Sequence, residues 1–427
     1  MLPPEDQALL ERRARLLGPA YRLFYEEPFH PVRGEGVWLY DAAGKPWLDA
    51  YNNVVCVGHA RPEVVEAIAR QASTLNTHTR YLHEGVLDYA ERLLATLPPE
   101  LGHATFTCTG SEANDLAMRV ARAHTGGTGL IVTHWAYHGV TSAIAEASPS
   151  LGQHIVLGAN VRTVPAPAPL PGQSAEDCGR VFAEGVRAAV ADLKAHGIKA
   201  AALMVDTVFS SDGIFTEPAG FLREAVEAIH EAGGVFIADE VQPGFARTGE
   251  CFWGFQRHGI VPDMVTMGKP MGNGHPVAGM AVRPEVMAAF GRQSRYFNTF
   301  GGNPVSMAAA AAVLDVIQGQ ELQRNALEVG AYLRAGLVSL ADKHALVGEV
   351  RGAGLFIGLE LVTDRVLRTP ATAEAAQVVN GLRRNGVLLS ATGETAHVLK
   401  IRPPLVFTRE HADLLVSRVD FVLGSLF

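Results

Sequence analysis

The sequence predicts an α/β fold: a mostly parallel sheet in one large domain, with a smaller α+β domain beside it. Three observations support this. From about Gly58 to Ala281, helical patterns alternate with short apolar runs. Those runs lack strict polar alternation, as strands buried on both faces do. After about Pro304 the alternation gives way to helices flanking paired strand patterns, the mark of an α+β unit.

The first stretch, to about Phe29, reads as a polar helical arm. "GVWLYDAAGKPWLDAYNN" follows, two short strands around Asp41–Gly44, a hairpin signal. "PEVVEAIARQAS", "LDYAERLLATL" and "SAEDCGRVFAEGVRAAVADLKAHG" carry helical spacing. In the last, Ser174 is the candidate N-cap and Gly197 the C-terminal stop. "ATFTC", "GLIVT", "AAALMV", "GVFIAD", "DMVTM" and "VAGMAV" are the strand candidates. "VPAPAPLPGQ", Val164 to Gln173, reads as a surface loop with extended proline segments, because the α/β rhythm resumes after it. An Ala-rich helix, "PVSMAAAAAVLDVIQ", leads out of the large domain. A helix, the strand pair in "LVGEVRGAGLFIGLELV", another helix and "HVLKIRPPLVF" complete the chain. The expected division is an N-terminal arm and hairpin over 1–57, a large domain over 58–318 and a small domain over 319–427. The first part is expected to join the small domain.

Composition narrows the function. The chain has 427 residues, 48% hydrophobic and 19% charged, enough apolar material for a large core. A net charge of -8 with scattered Lys and Arg argues against a nucleic-acid partner. Cys56, Cys108, Cys178 and Cys251 are far apart, which fits a reducing cytoplasm better than a disulfide framework. The N-terminus has no apolar core of a signal peptide, and no run reaches the ~18 apolar residues of a membrane helix. A cytoplasmic protein without a membrane partner is expected.

One stretch suggests chemistry. "DMVTMGKPMGNGHP" ends a strand on a single lysine, Lys269, and wraps it in turn residues. A positioned, deprotonated lysine can form a Schiff base with a carbonyl cofactor, of which pyridoxal phosphate is the common case. Such a site needs a carboxylate for the ring nitrogen, a phosphate cradle, a stacking aromatic and an apolar lid. Asp239, ending the strand of "GGVFIADEVQPGFARTG", is the carboxylate; Val241 could press on the ring. The plainer reading has Asp239 or Glu240 capping a turn. In "TGSEANDLAMRVARA", Gly110 and Ser111 open a helix, whose free N–H groups suit a phosphate. The plainer reading makes Ser111 an ordinary N-cap. Tyr137 and His138, in "HWAYHGVT", supply the aromatic; the plainer reading is a half-buried loop residue. His134 and His138 have zinc spacing, but the glutamate of HExxH and a third ligand are missing, so no metal is expected. "GAGLFIG" lacks the following helix of a dinucleotide loop. No GxSxG elbow or Walker A loop occurs.

Taken together and in order, "TGSEAND", "YHG", "IADEVQPGFARTG", "TMGKPMGNGHPVAG" and "NTFGGNPVS" resemble the class III (subgroup II) pyridoxal-phosphate aminotransferases, from roughly Phe29 to the C-terminus. The resemblance implies a PLP-dependent transferase fold of type I and a homodimer with shared active sites. It makes Lys269 the Schiff-base lysine and general base, and Asp239 the partner of the pyridine nitrogen. It places Gly110 and Ser111 at the phosphate, Tyr137 and His138 at the ring, Val241 against it and Gln242 near its O3′ edge. Thr299 would reach the phosphate of the neighbouring subunit's cofactor.

In many members an arginine before a "PPL" turn holds a substrate carboxylate. Here, aligned on the two prolines of "HVLKIRPPLVF", Lys400 takes that place and Arg402 lies two residues on. Lysine cannot make arginine's planar two-pronged contact. "GKPMGNGHPVAG", "TRYLHEGVLDYAERL" and "VLKIRPP" are most similar to the branch holding ethanolamine-phosphate and phosphohydroxylysine phospho-lyases. Tyr51, Arg80, Lys400 and Arg402 are the candidate substrate contacts; for Arg80 a structural contact near a helix start is the plainer reading. The reading is an aminotransferase moving nitrogen from an amine or amino acid to a keto acid. The alternative is a phospho-lyase acting on a phosphorylated amine such as ethanolamine phosphate. A catalytically silent binding protein is the remote alternative.

Overall fold

The structure is a computed structural model describing residues 3–152, 154–168 and 172–426. A helix, Pro4–Leu17, opens the chain with no buried residue. It is shorter than the arm expected to reach Phe29: Gly18, at φ +63°, ends it. Strands β1 (Arg33–Glu35), β2 (Trp38–Tyr40) and β3 (Pro46–Asp49) follow. The β2–β3 pair is the expected hairpin, its turn fixed by Asp41 Oδ1, which accepts from the N–H of Ala43 and Lys45.

The large sheet holds β4 (His103–Thr107), β5 (Gly129–Thr133), β6 (Val161–Val164), β7 (Ala200–Asp206), β8 (Val235–Asp239), β9 (Met264–Met267) and β10 (Ala278–Val282). The spatial order is β4-β10-β9-β8-β7-β5-β6. Only β10 runs against its neighbours. All six expected strands are present; β6 is additional. Its two inner residues, Arg162 and Thr163, are only half-buried at the sheet edge, so "VRTV" carries a weak apolar signal.

Alternation along β7 and β8 explains why these strands read as unbroken apolar runs. Ala202, Met204, Val235 and Ile237 pack with Leu116 and Val120 of helix Gly110–Thr125. Leu203, Val205, Phe236 and Ala238 share the opposite core with Phe182, Val186 and Ile229 of helices Ala175–Ala195 and Arg223–Glu231. Both faces are covered, so neither tolerates polar residues. Ser174 caps helix Ala175–Ala195 through the Asp177 N–H, and Gly197 follows its end at φ +71°. The proline-rich loop leaves β6 at residue 165; residues 169–171 lie outside the described ones.

Helix Pro304–Gly319, capped by Asn303, and helix Leu322–Ser339 lead to β11 (Val347–Ala353) and β12 (Phe356–Asp364). Then come β13 (Thr369–Pro370), β14 (Val387–Leu388), β15 (Ser390–Thr392) and β16 (Val398–Ile401), with helix Thr372–Arg384 after β13 and helix Arg409–Leu426 last. β16 pairs antiparallel with β12 and β15. β14 adds parallel to β3, so the two ends of the chain share a sheet.

Gly330 shows how tightly these parts meet. A Cβ there would lie 2.1 Å from the Gly354 carbonyl oxygen in the β11–β12 turn. One at Gly354, at φ +53°, would lie 2.5 Å from Thr248 backbone. Gly330→Ala should therefore destabilise the protein by about 1–3 kcal/mol, read as a lower urea midpoint at unchanged slope.

Candidate active site

Strands β7, β8 and β9 end in register, with Asp206 beside Asp239 and Asp239 beside Thr266. Ligands of open α/β sheets bind at such carboxyl ends. Asp239 is buried, and a buried carboxylate needs donors. Its Oδ2 accepts from His138 Nδ1 at 2.7 Å and Asn114 Nδ2 at 2.9 Å; its Oδ1 accepts from the Val241 N–H at 3.1 Å. Asn114 also donates to the His138 carbonyl, and its Oδ1 accepts from Thr266 Oγ1 at 2.6 Å, which fixes its amide orientation. His138 Nε2 has no partner among the described residues. Glu240, the next residue, points the other way. It caps the 254–255 turn by accepting from the N–H of Gly254 and Phe255, and burial pushes it up to about 7.

Helix Gly110–Thr125 begins with a capping box built on Thr109, not on Ser111. Thr109 Oγ1 accepts from the Glu112 N–H, and the Glu112 carboxylate accepts from the N–H of Thr109 and Cys108. The N–H groups of Gly110 and Ser111 keep no protein partner among the described residues and form the positive end of the helix. Side chains are excluded on both sides of this cradle. A Cβ on Gly110 would meet Val241 at 2.9 Å, and one on Gly139, at φ +140°, would meet Ser111 Oγ at 2.5 Å. Ser111 Oγ accepts from the Val140 N–H, pinning the 138–140 segment to the helix start.

Lys269 leaves β9 through Gly268 into a turn closed by the Met271 N–H on the Gly268 carbonyl, 2.7 Å. A Cβ at Gly272 would lie 2.2 Å from the His275 carbonyl oxygen, so the turn's tightness requires glycine. Lys269 keeps some surface in the cavity but is densely surrounded by protein. Burial, then Arg402, pushes its amine down to about 8, against the opposing pull of Asp239 and Asp206. Its Nζ lies 5.8 Å from the Tyr137 ring centroid.

Gly110, Ser111, Tyr137, His138, Asp239, Val241, Gln242 and Lys269 all line one cavity of about 190 Å³. Asn114, Gly139 and Asp206 line it as well, and sequence reasoning had not singled them out. Asn114 and Gly139 lie in or beside motifs already noted; Asp206 shows only through the strand register. A larger hollow, about 670 Å³, lies between helices Pro62–Ala72 and Pro304–Gly319; its polar residues, Glu63, Glu66, Arg70, Gln71, Asp315 and Gln320, are exposed or half-buried, and none is buried as Asp239 is.

The candidate substrate contacts divide. Arg402, just past β16, is buried, donates through Nη1 to Gln242 Oε1 and lies 4.5 Å from the Tyr51 ring centroid. Its Nε has no partner among the described residues. Lys400 is also buried, its amine pushed well below the usual lysine range by burial and then by Arg402. Arg80 is exposed and, like Tyr51, Lys400 and Arg402, is not among the residues lining the cavity; Thr299, expected at the neighbouring subunit's phosphate, is exposed as well. Arg80 stacks on Phe297 at 3.8 Å, the structural contact that was its plainer reading.

The class-III aminotransferase family model matches residues 25–423. An alanine–glyoxylate aminotransferase 2 homolog of Arabidopsis thaliana is 39% identical, over 99% of this chain and 88% of that protein. An ethanolamine-phosphate phospho-lyase homolog of Caenorhabditis elegans is 36% identical, over 98% of this chain and 93% of that one. A solved phospholyase from Arthrobacter, in complex with phosphoethanolamine, is 44% identical with a TM-score of 0.94, covering 98% of this chain and all of that one. A solved amine transaminase from an uncultivated Pseudomonas species, in its PLP-bound form, is 29% identical with a TM-score of 0.86, over 94% and 96%.

The lowered pKa of Lys269 sets a pH dependence. With a pKa of about 8, roughly one amine in ten is free base at pH 7; the ordinary value would leave fewer than one in a thousand. Capture of pyridoxal phosphate by cofactor-free protein, followed by absorbance, should rise with pH through a midpoint near 8. A midpoint above 10 contradicts the burial argument.

Proposed function

We propose a function from one premise: the chain belongs to the class-III aminotransferase family. Enzymes of that family depend on pyridoxal phosphate, and this chain is one of them. The residues present fit that group. The cradle at Gly110 and Ser111 keeps two free N–H donors and no room for side chains. Tyr137 and Val241 would flank the ring, Asp239 would face its nitrogen, His138 would hold Asp239, Gln242 would stand at the O3′ edge, and Lys269 would carry the carbonyl carbon.

When bound, the cofactor supplies a carbonyl that takes the substrate nitrogen and a ring that accepts electrons from the substrate carbon. The chain supplies the rest. Lys269 Nζ, once released, takes the proton from the substrate's nitrogen-bearing carbon and returns it elsewhere. Asp239 keeps a proton on the ring nitrogen, and its three donors keep the carboxylate aligned and dry. The reading is aminotransfer to a keto acid. One observation carries it: Lys269 lines the same cavity as Asp239, with an amine lowered to about 8. Arg402, with part of its guanidinium still unpaired, would hold the acceptor's carboxylate beside Tyr51.

A second reading rests on Lys400. Lys400 and Arg402 are both buried, and after burial itself Arg402 is what pushes the amines of Lys400 and Lys269 down. A phosphate group would relieve that repulsion better than a single carboxylate. A phosphorylated amine would then lose its phosphate after the same proton abstraction, and no keto acid would be needed.

The dimer is part of the proposal. Tyr81, Leu82 and Phe300 are 66%, 99% and 70% exposed and flank Arg80 and Thr299. Apolar surface of this kind calls for a partner. A second copy covering it would bring Thr299 to the neighbouring phosphate site, completing a shared active site. All four cysteines are unpaired, which supports a reducing compartment, the cytoplasm. No described helix is long and apolar enough to cross a membrane.

The deciding assay offers cofactor-loaded protein ethanolamine phosphate, and separately amines with pyruvate or 2-oxoglutarate. Amino-acid formation that requires a keto acid, without phosphate release, establishes aminotransfer; phosphate release without keto acid establishes the lyase. Lys269→Ala should abolish either turnover with the fold intact by circular dichroism; residual turnover sinks the assignment. Asp239→Asn should lower kcat by about a hundredfold or more while cofactor retention changes far less. Equal kcat values would refute its role.

A further inference from the structure

Three side chains, Asp206, Ser210 and Gln242, lead from the cavity wall to the buried Arg402 in a single hydrogen-bonded line. Arg402 Nη1 donates to Gln242 Oε1, Gln242 Nε2 donates to Ser210 Oγ, and Ser210 Oγ donates to Asp206 Oδ2. Asp206 is held in turn: Oδ1 accepts from the Val208 N–H at 3.0 Å and Oδ2 from the Ser210 N–H at 3.1 Å. Thr392 Oγ1, from β15, donates to the Ser210 carbonyl at 2.9 Å and fixes the backbone that carries the serine.

The two ends dictate the direction of every bond between them. A guanidinium can only donate and a carboxylate can only accept. The Ser210 hydroxyl proton therefore faces Asp206, leaving a lone pair for Gln242 Nε2. That contact turns the amide so that its oxygen meets Arg402. A flipped amide would present an NH₂ group to the guanidinium and an oxygen to an oxygen. Apart from Ser210 and Arg402 itself, no other side chain among the described residues bears on the amide: the Asn53 Nδ2 bond goes to the Gln242 backbone carbonyl, not to its side chain.

We propose that Ser210 and Asp206 are positioning residues: they fix which way the Gln242 amide faces, and so aim Arg402 at the anionic group of the substrate, carboxylate or phosphate. The proposal rests on the assignment of Arg402 to that group above. Ser210 does not line the cavity; its hydroxyl reaches it through Gln242 and Asp206, and only Gln242 bonds Arg402. Its hydroxyl thus belongs to specificity, while Lys269 and Asp239 belong to chemistry.

The test is calorimetric titration of inorganic phosphate and of succinate into cofactor-loaded wild type, Arg402→Ala, Ser210→Ala, Gln242→Glu and the Gln242→Glu/Ser210→Ala pair. Ser210→Ala should weaken anion binding about five- to tenfold, and in turnover should raise KM with kcat changed less than twofold. The titrant affected identifies the group that Arg402 reads. A carboxylate in place of the amide has no direction to fix, so in the Gln242→Glu background Ser210→Ala should change affinity less than twofold. Unchanged affinity in Ser210→Ala overturns the proposal. Equal weakening in both backgrounds also overturns it, because that is a packing defect. If Arg402→Ala itself leaves both anions bound as before, the assignment of Arg402 fails, and the positioning role falls with it for that separate reason.

Discussion

The site depends on one satisfied buried charge. Asp239 has three donors, drawn from three places: His138 from the loop after β5, Asn114 from the helix that forms the cradle, and Val241 from the turn that follows β8. A buried carboxylate without them would be costly enough to be neutralised, and a neutral acid could not hold a proton on the ring nitrogen. The same bonds tie the cradle helix, the stacking loop and the central strand into one rigid unit. Cofactor geometry and electrostatics thus have a common origin.

Around that charge the chain keeps space by withholding side chains. Gly110 packs on Val241 and Gly139 on Ser111, and their hydrogens are the largest substituents that fit. Elsewhere compactness is reached with glycine for backbone reasons, as at Gly272 in the turn after Lys269. These are two physical causes behind motifs that look alike in sequence. One clears room for a ligand; the other lets the chain reverse.

Much of this was legible beforehand. The apolar runs of β5, β7, β8, β9 and β10 announced strands covered on both faces, and each motif residue around Lys269 marked its place at a strand end or helix start. What stayed hidden depends on pairing between distant segments. Asp206 looks like any strand-ending acid until register sets it beside Asp239. Ser210 means nothing without Gln242 opposite. The plainer reading of Ser111 as the N-cap was off by two residues because Thr109 and Ser111 have equal local claims; Glu112, reaching back to Thr109, decides. Arg80 and Thr299 were drawn from a resemblance to enzymes whose sites span two chains, and one chain leaves them on its surface.

The pairing of β3 with β14 carries a consequence for synthesis. Leu48 and Asp49 wait for Val387 and Leu388, and the Ala50 carbonyl waits for the Arg402 N–H. A ribosome delivers the first of these long before the last. Until then the N-terminal hairpin offers an unpaired edge and its apolar residues Leu48 and Ala50 lack cover. The cradle and Lys269 belong to segments that all precede β14 in the chain. Arg402, seated on the Ala50 carbonyl, is therefore among the last residues of the site to be placed.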